Sequence, residues 1–176
     1  MFVRKKAILA IATLVAFAGC TTLERGGSVP SRPVPAPTPQ ISNPLMAEHV
    51  KIAQLPELLR RVESGTTEFD FTGITSNGVD CIYFMPDKAG QWDIDFEAMG
   101  EDQLPFIEKL RKFASDRGFQ SQLTTYGNKP NFTSDKPAPV LHIQTKLSLE
   151  AVAKLGEDIE LGVFKNDLHT VYEVVP

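Results

Sequence analysis

From residue 55 onward the apolar positions recur with two periods, and each change of period marks an element. Leu55, Leu58, Leu59 and Val62 follow helical spacing behind Pro56, and Gly65 stands where such a helix stops. Asn43-Pro44 predicts the start of a shorter helix reaching about residue 53, which would carry His49. Three strand-like runs follow. Residues 67–74 place Phe69 and Phe71 on one face, residues 79–85 are apolar on both faces, and residues 91–97 alternate strictly, with Trp92, Ile94 and Phe96 opposite Asp93, Asp95 and Glu97. Phe106, Ile107, Leu110, Phe113 and Ala114 predict a helix over residues 104–117, which Gly118 ends. Residues 121–126 and 140–145 read as strands on either side of a polar, proline-bearing loop. Ser148 caps a third helix with the stripe Leu149, Val152, Ala153, Gly156, Ile159 and Val163, and residues 169–175 close as a strand.

From residue 91 the order is βαββαβ. The expected fold is therefore α+β, a two-layer sandwich with a ferredoxin-like βαββαβ core, two extra N-terminal strands and N-terminal helices.

The first twenty residues follow another logic. Arg4, Lys5 and Lys6 precede an apolar run over residues 7–18, which Gly19-Cys20 ends before the composition turns polar. That run is shorter than the roughly 20 residues that cross a bilayer core, and it has the layout of an export signal. Phe17-Ala18-Gly19-Cys20 resembles the lipobox of bacterial lipoprotein precursors, with Phe17 where an aliphatic residue is commoner. The resemblance implies lipidation of Cys20, cleavage before it, and acylation of the new amino group. Thr21 is similar to the outer-membrane-sorted pattern, so the resemblance implies an outer-membrane lipid anchor with the domain in the periplasm. Each buried methylene contributes about 0.8 kcal/mol, so several acyl chains hold stably.

Five prolines between Pro30 and Pro39 make residues 20–43 a spacer able to set a domain about 60 Å from the bilayer, and this reading is preferred to a PxxP recognition site. Residues 44–176 are then one domain of ordinary size. Loss of residues 1–19 removes three cations and no acid, taking the formal charge from −4 to −7. An acidic domain argues against nucleic acid and suits a basic protein partner. With Cys20 lipidated, Cys81 has no disulfide partner in the chain, and its apolar surroundings predict a buried packing thiol.

Candidate chemistry is sparse. Asp93, Asp95 and Glu97 would lie about 7 Å apart along one strand face, as a solvated surface, a calcium site or a docking face for a basic partner. Glu68 and Asp70 would join them if the two strands were neighbours. A row of exposed carboxylates lacks the asymmetry glycoside hydrolysis needs. His49, His142 and His169 have no zinc spacing, and there is no Gly-x-Ser-x-Gly elbow. The residues between Gly73 and Gly78 form a turn and not a phosphate loop. The loop after residue 124 is the best recognition segment, with Tyr126, Asn128, Lys129, Asn131 and Phe132. No cofactor is expected.

The expected role is a non-enzymatic protein-binding module, either an accessory of envelope assembly or an immunity-type neutraliser of a toxic effector. The alternative is an envelope hydrolase. Replacing Cys20 by Ala is expected to leave a soluble or unprocessed protein. Unchanged membrane fractionation and mature mass would remove the lipoprotein assignment.

Overall fold

The computed structural model describes residues 47–176. The expected signal peptide, Cys20, the proline-rich linker and the helix start at Asn43-Pro44 lie outside the described residues. No helix among the described residues is long and apolar enough to cross a membrane.

Seven strands form one antiparallel sheet: β1 His49–Lys51, β2 Thr72–Thr75, β3 Ile82–Pro86, β4 Trp92–Glu97, β5 Gln120–Thr124, β6 Val140–Leu147 and β7 Val171–Val175. Three α-helices complete the domain: α1 Leu55–Glu63, α2 Leu104–Asp116 and α3 Leu149–Ile159. The long periodic runs therefore fold as their spacing predicts. The short segments near residues 49 and 69 do not. His49 lies on a strand, because residues 49–51 pair with β7 (His49 opposite Glu173), and Ile52–Gln54 makes one 3-10 turn before α1. Sheet pairing overrides the weak helical signal there. The strand expected from residue 67 begins only at Thr72, leaving Phe69 exposed. His169 sits in a turn ahead of β7, and not on the strand.

The sheet order is β1-β7-β2-β3-β4-β6-β5. The β2–β3 pair is thus inside the sheet, between β7 and β4, and does not flank it. Trp92, Ile94 and Phe96 of β4, Phe84 of β3, and Leu141 and Ile143 of β6 point to one face, where they join the apolar stripes of α1, α2 and α3 in a single core. The opposite face carries Tyr83, Met85, Asp93, Asp95, Glu97 and His142 by strand alternation.

Two close approaches depend on glycine. A Cβ on Gly156 would stand 2.7 Å from the Phe84 ring, so α3 can lie this close to β3 only without a side chain there. A Cβ on Gly73 would stand 2.7 Å from the Tyr83 ring, so Gly73 lets that ring lie across β2 on the other face.

Gly156→Ala is expected to destabilise by about 1–3 kcal/mol through overpacking, despite the better helix propensity of alanine. Phe84→Leu in the same chain should recover part of the loss. Urea denaturation reads both, and a rise of about 1 kcal/mol for the single variant would show that propensity governs instead.

Candidate functional site

The acidic row of β4 was expected to meet solvent, and the structure corrects this. Asp93, Asp95 and Glu97 are 6%, 4% and 7% exposed. Neighbouring segments cover the side of β4 away from the helices, and each carboxylate meets a different partner.

Asp93 fills a β-bulge. Trp92 pairs with Leu147 and Ile94 with Ile143, so β6 carries extra residues at this point. The backbone N–H groups of Thr145 and Lys146 there both donate to Asp93 Oδ1, at 2.9 and 3.1 Å. Lys146, in the left-handed region at φ 50°, brings Nζ to 2.7 Å from Asp93 Oδ2 and 3.3 Å from Asp87. Its ammonium pKa is held above the usual lysine value, first by the hydrogen bond to Asp93.

Asp95 faces His142 across the β4–β6 ladder, with Nδ1 at 2.6 Å from Oδ1, while Nε2 lies 3.7 Å from Asp93. Tyr126 donates its hydroxyl to the other Asp95 oxygen. Burial, then that bond, pushes the phenol's pKa upward. Glu97 accepts from Asn128 Nδ2 at 3.0 and 3.2 Å.

Of the loop after residue 124, Tyr126 and Asn128 therefore reach the acidic row. The loop is stitched across the end of β4 by Ala138 N to Asn128 O, Asn131 N to Met99 O and Ala98 N to Pro139 O. Lys129 lines a separate shallow hollow with Ser134 and Asp135. Asn131 is exposed, with its backbone N–H holding the loop. Phe132 is half-buried and outside the core cluster. Glu68 and Asp70 are exposed in the segment before β2, which β3 separates from β4, so this pair does not join the three carboxylates of β4.

Beside Glu97 opens a cleft of about 350 Å³ lined by Phe71, Tyr83, Met85, Tyr126 and Asn128. Phe71 and Tyr83 meet edge to face, 6.3 Å between centroids and 61° between planes. The sequence pattern hid this cleft because its walls come from five separate segments, Pro176 after β7 among them.

No group of His, Cys, Asp and Glu suited to a metal ion occurs among the described residues. Among them, the ring of His142 meets only carboxylates, with no hydroxyl or thiol hydrogen-bonded to it. Cys81, expected as a buried packing thiol, is half-buried and outside the core cluster; desolvation pushes its thiol up to about 11, against a hydrogen bond with Tyr83 and with further upward contributions from Asp80, Glu160 and Glu97. It is a neutral thiol at neutral pH, not an activated nucleophile.

A second acidic cluster was not anticipated. Asp80 accepts from Thr75 Oγ1 at 2.7 Å and from the Ser76 N–H at 2.8 Å. Asn166 Nδ2 bridges Asp80 Oδ2 at 2.6 Å and Glu160 Oε2 at 2.8 Å. Burial opposes ionisation of Asp80, yet the hydrogen bonds from Ser76, Thr75 and Asn166 together hold its pKa below the usual value. Glu160 is fully buried in the π-helical turn Glu160–Phe164 after α3. Burial, then the Asp80 charge, raises it to about 8. Among the described residues, its Oε1 and the Tyr172 hydroxyl have no hydrogen-bond partner. A glutamate on the apolar stripe of α3, four residues after Gly156, was the available signal.

Comparison with family models, with curated proteins and with solved structures finds no match to this chain.

The raised Glu160 pKa has a sign. Between about 4.5 and about 8 the folded state holds a proton that the unfolded state releases. Stability therefore falls as pH rises through that window and levels off above it. Glu160→Gln is expected to remove the cost, so its advantage over the parent should grow from pH 4.5 to 8, reaching on the order of a few kcal/mol. Urea midpoints across that range check it, and parallel curves for the two chains would refute it.

Proposed function

We propose that this chain is an outer-membrane lipoprotein whose periplasmic domain is a non-enzymatic protein-binding module, docking its partner on the sheet face away from the helices. The observation that carries the reading is the aromatic cleft beside Glu97, on a face with an exposed Tyr126 and no helix over it. Aromatic residues with a polar tip are the side chains that most often anchor protein interfaces. The lipobox-like segment and its proline-rich spacer support the location, and the acidic charge supports a basic partner. Assembly accessory and immunity-type neutraliser are the two roles proposed for such a surface.

The Asp95–His142 pair supports the alternative of an envelope hydrolase, since a carboxylate that orients a histidine is half of a nucleophilic site. The binding reading is preferred because His142 lacks a hydroxyl or thiol partner among the described residues. In fold terms, we read the sheet as a ferredoxin-like order, β7-β4-β6-β5, opened by insertion of the β2–β3 pair. The antiparallel neighbours β4–β6 and β6–β5 support this.

A photocrosslinking residue at Phe69, beside Phe71, should give a discrete adduct in the native envelope that Tyr126→Ala abolishes. The same probe at Lys112 on α2 should give none. His142→Gln should leave the adduct intact. Equal labelling from both positions would remove the docking face, and hydrolysis of envelope material lost with His142→Gln would favour the enzyme.

A further inference from the structure

The three carboxylates of β4 are neutralised unequally. Asp93 has the Lys146 ammonium and two backbone N–H groups. Asp95 has His142 and the Tyr126 hydroxyl. Glu97 is as buried as they are, but among the described residues it accepts hydrogen bonds only from the neutral amide of Asn128. A nearly dehydrated carboxylate with no cation is costly. Glu97 lines the aromatic cleft.

The cleft's walls fit one kind of cation. Phe71 and Tyr83 both line the cleft with their planes 61° apart, and Tyr126 adds a third aromatic wall. Gly73 permits this placement by leaving space for the Tyr83 ring. A cation over such faces gains from the ring quadrupoles. Asn128 uses Nδ2 on Glu97, and its Oδ1 accepts no bond among the described residues, so a second acceptor stands beside the carboxylate. A planar guanidinium can stack on a ring while donating in its plane to both acceptors. A lysine ammonium is more strongly hydrated and cannot stack.

We propose that the Glu97 cleft is the receptor for an arginine side chain presented by the partner protein, which supplies the cation that Glu97 lacks among the described residues. This rests on the docking reading above and names the chemistry of that contact.

The test titrates the full-length chain in detergent micelles with a blocked Ala-Arg-Ala peptide, followed by calorimetry. The matched citrulline peptide, nearly isosteric and neutral, and tetramethylammonium serve as comparison probes. The arginine peptide should bind at least tenfold more tightly than the citrulline peptide. Glu97→Gln should erase that difference, and Phe71→Ala, which leaves the carboxylate in place, should weaken arginine binding severalfold. Near-UV circular dichroism reports whether each variant keeps its packing, and Phe71→Ala alone decides if Glu97→Gln does not fold. Citrulline binding within twofold of arginine, no arginine binding at millimolar concentration, or a preference for tetramethylammonium would each overturn the proposal. A crosslink from Phe69 that persists without arginine selectivity would leave the docking face standing and remove only the arginine contact. Selective arginine binding with no crosslink would do the reverse.

Discussion

A central strand with a carboxylate at every second position imposes the constraint on which the open face depends. β4 lies between β3 and β6 and cannot leave the sheet, because Trp92, Ile94 and Phe96 are locked into the core under the helices. Its other side chains are then obliged to be Asp93, Asp95 and Glu97. Ionised groups this deep need partners, and the surrounding architecture supplies them from β6 and from the loop after β5. The β6 bulge aims two backbone N–H groups and Lys146 at Asp93. His142 sits in register with Asp95, and the loop brings Tyr126 and Asn128 over the row. What looks like an irregular strand and a long loop is the means by which an acidic strand is kept inside a sheet.

The Asp80–Glu160 cluster solves the same problem differently. Asp80 collects enough hydrogen bonds to stay ionised, and Glu160 stays protonated at neutral pH. A single side-chain amide, Asn166, ties the two together and fastens the turn after α3 to the turn between β2 and β3. Two devices thus coexist in one domain: the Lys146 ammonium, neutral donors and a bulge on the face away from the helices, and an unequal pair of acids on the helix side. Within the β4 row, Glu97 alone among the described residues meets a single neutral side-chain amide, whereas Asp80 gathers several neutral donors.

Much of the local structure was legible in the chain. The spans of α1, α2 and α3 follow from 3.6-residue spacing with Gly65, Gly118 and Ser148 at their ends, and β4 follows from strict alternation. The failures share one cause. His49 was placed on a helix because its strand exists only through β7, more than a hundred residues later. The loop after residue 124 reads as a recognition segment, and of its candidates Tyr126 and Asn128 reach the row, a selection made by where the loop crosses β4. The acidic residues were assigned to the correct face of β4 and to the wrong environment.

The sequence by itself determined the helices, the two faces of β4 and the resemblance of the first twenty residues to a lipidated export signal, because each is written in residues a few positions apart. Tertiary structure decided the sheet order, the burial of the acidic row and the cleft beside Glu97. The partner of Asp95 is 47 residues away at His142, and that of Asp93 is 53 away at Lys146. No local period carries that information, since the environment of a side chain in a sheet is set by whichever strand lies alongside.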